Sequence, residues 1–162
     1  MIEIRPANPA DVPVILHFVR ELAAYEREPD AVTATDGMLQ HALFGPDPAA
    51  TAIIATLDGV AVGFALYFYT FSTWTGRRSL YLEDLYVAEL ARGSGVGTAM
   101  LRHLAAVALD SGCVRFEWSV LDWNAPAIAF YRAMGAIGME EWTIQRVAGD
   151  ALVQLAGRGD GG

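Results

Sequence analysis

Apolar residues recur along the chain with two periods, and the switches between them mark out the elements. Ile2 and Ile4 alternate with Glu3 and Arg5, a period of two that predicts a first strand. Asn8-Pro9 then reads as a helix start, with Asn8 as N-cap and Pro9 at the first helical position. Val12, Ile15, Leu16, Val19, Leu22 and Ala23 follow at helical spacing, which carries the helix to about Tyr25-Glu26. Residues 27–34 are polar, include a proline, and read as a loop. A short helix bearing Met38, Leu39, Ala42 and Leu43 is expected to start near Thr35 or Asp36 and to stop at Gly45-Pro46-Asp47-Pro48.

The period then returns to two. Residues 51–57 read as a strand, Asp58-Gly59 as a two-residue hairpin turn, and 60–71 as the answering long strand. Another strand is expected at 80–88, followed by a glycine-rich loop at 93–97. Val96, Met100, Leu101, Leu104, Val107 and Ala108 restore helical spacing as far as Ser111-Gly112. A strand over 113–121, a short helix over 126–134 and a last hairpin (141–147 with 151–155, around Gly149-Asp150) complete the reading. The order β-α-α-β-β-β-α-β-α-β-β predicts one α/β domain over residues 1–156, with a mixed sheet, and a flexible tail at 157–162.

Composition narrows the class. A chain of 162 residues, 54% hydrophobic and 19% charged, can bury one sizeable core. No apolar run reaches the roughly 18 residues of a membrane span, and the first residues lack the layout of a signal peptide, so a cytoplasmic protein is expected. The net charge of −8 argues against nucleic acid as a partner. Cys113 is the one cysteine, sits in an apolar run, and reads as a buried small hydrophobe. His17, His41 and His103 lack ligand spacing, so no metal site is expected.

Candidate chemistry begins at Arg92-Gly93-Ser94-Gly95-Val96-Gly97-Thr98, which joins a strand to a long helix. Glycines let a backbone approach a bulky anion, and the first turn of a helix offers amides without acceptors. The pair predicts a phosphate cradle. An ATP-binding loop would need Gly-Lys-Ser/Thr, whereas Gly97 precedes Thr98-Ala99. A dinucleotide fingerprint would need G-x-G-x-x-G in a first strand-to-helix turn, whereas G-x-G-x-G stands here in mid-chain. In the strand before the loop, Leu80 and Leu82 share one parity and Leu85 and Val87 the other. A β-bulge near Glu83-Asp84 would bring all four to one face and free a backbone N–H.

The loop resembles the Q/R-x-x-G-x-G/A motif of the GNAT acetyltransferases, read as Arg92, Gly95 and Gly97. The resemblance extends over Leu82-Glu83-Asp84-Leu85-Tyr86-Val87, Asp122-Trp123-Asn124, Phe130-Tyr131 and Gly135-Ala136. Glu21 to Glu26 and Trp74-x-Gly76-Arg77 are similar to the branch of diamine and thialysine N-acetyltransferases. The resemblance implies a GNAT-like, mostly antiparallel mixed sheet flanked by about four helices, acetyl-CoA as cofactor, direct transfer to the primary amine of a small molecule, and a homodimer. It assigns the CoA diphosphate to Gly93, Ser94, Gly95, Val96, Gly97 and Thr98 with Arg92 beside them. The pantetheine and acetyl group fall to Leu85, Tyr86 and Val87, with further cofactor contacts at Asn124, Ala127 and Tyr131.

An alkylamine has a pKa near ~10.4 and arrives protonated, so it must lose a proton before attack. Glu83 lies in a run apolar apart from Asp84, where burial would raise a carboxylate pKa, and is the candidate base. The resemblance makes Tyr131 the general acid for the departing thiolate. Tyr25, Glu26, Trp74, Asp84, Glu117, Trp118, Ser119 and Glu140 or Glu141 match the substrate side, where anionic and aromatic groups suit an ammonium ion. Ser72-Thr73 stand before Trp74 where the diamine enzymes carry an acid, which turns the reading toward thialysine-like amino acids or short diamines rather than long polycations. Ala127 stands where a serine is frequent. Protein-lysine or peptide acetylation, or a non-catalytic acyl-CoA-binding module, are the alternative readings.

Overall fold

The structure is a computed structural model that describes residues 1–159; the last three residues of the expected tail lie outside the described residues. Two compact units divide the chain, Met1–Leu121 and a second from Asp122 onward.

The first unit is built on a five-stranded sheet in the order β1-β2-β3-β4-β5. Its strands are β1 (Ile2–Pro6), β2 (Thr51–Leu57), β3 (Val60–Ser72), β4 (Arg77–Val87) and β5 (Phe116–Trp118). The first four pair antiparallel, and β5 runs parallel to β4. A capping box starts the single turn Pro9–Asp11 that leads into helix α1 (Val12–Tyr25): Asn8 Oδ1 accepts the Ala10 N–H, and Asp11 Oδ2 accepts the Asn8 N–H at 2.7 Å. Arg5 of β1 clasps the same Asp11 carboxylate through two bonds of 2.7 and 2.8 Å, and this partner holds its pKa below the usual range. Thr35 caps α2 (Asp36–Phe44) through the Met38 N–H.

Helices cover both faces of the sheet. Ile15 and Phe18 of α1 and Leu43 of α2 pack against Ala52, Ile54, Phe64 and Tyr86. On the other face lies α3 (Val96–Asp110). There a Cβ on Gly63 would stand 2.7 Å from the Tyr86 carbonyl oxygen and 3.2 Å from Met100 Cε, so only glycine lets α3 and β4 close so tightly on β3. Cys113 is buried, as its apolar run implies.

Two sequence expectations fail. The strand expected over 113–121 shrinks to β5, because β5 pairs with β4 only as far as Leu82↔Trp118. Past that pair β4 bulges, and a ladder that parts leaves a strand without bonds to extend it. In the second unit, α4 (Ala125–Ala133) forms where expected, but the last hairpin does not. Residues 151–155, instead of pairing as a strand, lie in helix α5 (Gly149–Leu155). Ala, Leu and Gln there favour helix, and Gly157 at φ 69° closes it with bonds from Arg158 N–H to Val153 O and Gly157 N–H to Gln154 O. Residues 141–147 alternate as a strand would, but have no ladder partner among the described residues and take no regular form.

Candidate active site

The irregularity in β4 is a bulge at Glu83. Leu82 pairs with Tyr67 and Asp84 with Leu66, so Glu83 has no partner on β3. The extra residue places Leu80, Leu82, Leu85 and Val87 opposite Tyr69, Tyr67, Ala65 and Gly63, on the α3 face, as the parity argument requires. Tyr81, Asp84 and Tyr86 therefore share the α1 face with Phe68, Leu66 and Phe64. The expected burial of Glu83 is corrected: Glu83 is exposed at the bulge and Asp84 is the partly buried acid. Burial pushes the Asp84 carboxyl up to about 6, reinforced by the negative charges of Glu83 and Glu26. Burial and Glu83 also raise Glu26. Three carboxylates thus lie within electrostatic reach of one another where β5 and β4 part.

The glycine loop leads into α3 directly after this strand. Gly93 (φ 81°) and Gly95 (φ 92°) take left-handed conformations, and Gly95 is the N-cap residue of α3 with no side-chain cap. The first turn carries no acidic residue, so its amide N–H groups point out beside a favourable dipole with no competing carboxylate. The Ser94 hydroxyl turns back to the Ala91 carbonyl. The Arg92 side chain is engaged with β4 and α1. Its Nε donates to the Val87 carbonyl at 3.0 Å, and its guanidinium lies 5.5 Å from the Tyr25 ring and 5.7 Å from the Tyr86 ring.

Tyr25 and Glu26 stand at the end of α1, which closes with bonds from Glu28 N–H to Ala23 O and from Arg27 N–H to Ala24 O. Arg27 has φ 65°, a left-handed residue without the licence of glycine. Ser119 follows β5, and its hydroxyl lies 3.0 Å from the Tyr81 hydroxyl. Glu117 pairs with Tyr81 and so shares the α1 face, whereas Trp118 pairs with Leu82 on the α3 face, against Phe116. Strand alternation thus separates Trp118 from Glu117. Trp74 is 80% exposed in the β3–β4 turn. Arg77 and Glu83 stand six residue steps apart on β4, roughly 20 Å of extended chain, so the chain does not bring Trp74 to the carboxylates. Sequence reasoning missed Tyr81; its parity with Asp84 across the bulge was the available signal.

In the second unit, Asn124 is buried and its Oδ1 accepts the Ala127 N–H at 3.4 Å, which makes it the N-cap of α4. Tyr131 is partly buried on that helix beside Phe130. Glu141 is exposed in an irregular segment. Among the described residues there is no cluster of three or more metal-ligating side chains, and no helix is long and apolar enough to cross a membrane.

The sequence model of the acetyltransferase (GNAT) family matches residues 16–136, a stretch that runs through both units. A thialysine N-epsilon-acetyltransferase of Sus scrofa is 39% identical, over 96% of this chain and 97% of that protein. A spermidine/spermine N(1)-acetyltransferase-like protein of Homo sapiens is 35% identical over 95% of this chain and 24% of its own length. Among solved structures, an integron cassette protein of V. cholerae superposes with a TM-score of 0.79 at 29% identity, covering 96% of this chain and 97% of that one.

Proposed function

The chain belongs to the acetyltransferase (GNAT) family, and from that premise we propose that it transfers the acetyl group of acetyl-CoA to the primary amine of a small molecule, a thialysine-like amino acid or a short diamine. The observation that carries this reading is the juxtaposition, in one unit, of an uncapped glycine-led helix and a bulge that presents two carboxylates. Residues 1–156 act in this reading as one catalytic domain.

The residues present fit acetyl-CoA. The N–H groups of Gly93 to Thr98 suit a diphosphate, since the helix end offers donors and no acid. The backbone of Leu85, Tyr86 and Val87 suits an extended pantetheine, since β5 leaves that edge of β4 without a strand partner. By the family resemblance, Asn124, Ala127 and Tyr131 of the second unit would supply further cofactor contacts. When bound, acetyl-CoA supplies an acyl thioester. An N–H left without a β3 partner at the Glu83 bulge would be the donor available to negative charge on the acyl oxygen.

Tyr25, Glu26, Glu83, Asp84, Glu117 and Ser119 receive the amine, the acids favouring an ammonium ion by charge. The proton then passes, through water, to the Glu83–Asp84 pair. Asp84 is tuned for this, because a carboxyl raised to about 6 works nearer neutral pH than an ordinary one. By the same resemblance, Tyr131 would be the residue whose phenol supplies the proton that the CoA thiolate takes up. We place the protein in the cytoplasm as a homodimer. The exposed apolar residues of the second unit, among them Ile137 (79%) and Ile144 (76%), support an assembly surface.

The test is CoA release over a panel of thialysine, lysine, putrescine, spermidine and a lysine peptide. Turnover of at least one small amine is expected; turnover of the peptide alone overturns the substrate class. Calorimetry with CoA is expected to show saturable binding, and its absence overturns the cofactor.

A further inference from the structure

Arg92 opens the glycine loop, but its side chain is engaged elsewhere. Its Nε–H is given to the Val87 carbonyl at the end of β4. Its guanidinium lies over Tyr25 of α1 at 5.5 Å and over Tyr86 of β4 at 5.7 Å. Tyr86 also reaches α1, through its hydroxyl to Glu21 Oε2 at 3.5 Å and its ring against Phe18 at 5.5 Å. A planar guanidinium suits contact with two rings, and an ammonium does not reproduce that geometry. Next to Tyr25 come Glu26, which interacts with Glu83 and Asp84, and Arg27, held in a left-handed conformation that an arginine would not adopt unaided.

We infer that Arg92 is a positioning residue for the amine side of the site and not a ligand of the diphosphate: it clamps the C-terminal turn of α1, with Tyr25 and Glu26, against the end of β4. The inference rests on the acetyltransferase reading above. Anchored on the Val87 carbonyl at the end of β4, the side chain fixes through Tyr25 the turn that presents Glu26 to the ammonium. The glycine loop keeps its own backbone donors for the diphosphate and does not need the guanidinium.

The experiment uses the full chain with Arg92→Met and Arg92→Lys, assayed for CoA affinity by calorimetry and for kcat and KM with both substrates. Loss of the two ring contacts and the hydrogen bond is expected to lower kcat/KM for the amine by about tenfold, with CoA affinity changed less than about twofold. Arg92→Lys is expected to fall with Arg92→Met, since a single ammonium does not replace two ring contacts and the bond to Val87 together. Amide hydrogen exchange of the coenzyme-free protein supplies a readout independent of turnover: residues 22–28 are expected to exchange faster in both variants, and the first turn of α3 at the unchanged rate. Tyr25→Ala, which leaves the loop intact, is expected to reproduce the amine effect and guards against a variant that merely folds poorly. The inference is overturned by CoA affinity that falls tenfold with the amine unaffected, by equal losses for both substrates, or by unchanged exchange at 22–28. An unsubstituted chain that binds no CoA sinks the acetyltransferase reading instead, while the exchange comparison still decides the clamp.

Discussion

Glu83 and Asp84 are neighbours in sequence with opposite environments. The bulge leaves Glu83 in solvent and turns Asp84 beneath the α1 face, so a single inserted residue decides which acid is desolvated. A carboxyl whose folded pKa lies above its unfolded one favours folding in its protonated form. That contribution is whole below pH ~3.8, shrinks as pH rises through about 6, and leaves Asp84 a destabilising group at neutral pH. Asp84→Asn is therefore expected to raise stability at pH 7.5 by about 1–2 kcal/mol, with the gain shrinking toward pH 4.5. Urea unfolding at both pH values checks it; a gain that grows with acidity contradicts the assignment. In the same variant, the acid limb of the rate profile near pH 6 should disappear if Asp84 takes the proton, whereas loss in Glu83→Gln alone moves that role to Glu83. For Tyr131→Phe, a fall of about 10²-fold in kcat with CoA affinity retained is expected from steady-state assay and calorimetry.

Elements in this chain are placed by local chemistry and locked by contacts that few residue types permit. Gly63 is the clearest lock. Its missing Cβ would press on the Tyr86 backbone oxygen, which no rotamer change relieves. Gly63→Ala is expected to cost about 2–3 kcal/mol in chemical denaturation, and to depress activity by shifting β3 against the bulged strand. Arg27 behaves oppositely. Its φ of 65° is a conformation that glycine adopts more readily than arginine, so the backbone there is held by its surroundings and not by local preference. The Asn8 cap and a helix start near Thr35 or Asp36 were readable in sequence, because a helix start depends only on its own next few residues. The final hairpin was misread for the complementary reason. Alternation over 141–147 is a local property, but a strand exists only where another offers its hydrogen bonds.

At the scale of the whole molecule, charge and surface argue in different directions. A net charge of −8 keeps copies apart at low salt, while the exposed apolar side chains of the second unit favour contact. Light scattering after gel filtration is expected to give twice the 17.4 kDa chain mass, with the dimer strengthened by added salt. A monomer at all salt concentrations removes the homodimer from the proposal.

The order of most elements, the Asn8 start, the Asp58-Gly59 turn, the glycine loop and even the bulge were legible in the sequence, since each follows from periodicity, turn chemistry or parity within a short window. The tertiary structure alone decided that Asp84 and not Glu83 is buried, that Trp74 stands apart, and that Arg92 turns to two tyrosines. Those outcomes depend on what arrives from distant segments: a side chain's surroundings are set by packing partners tens of residues away, which no local pattern encodes.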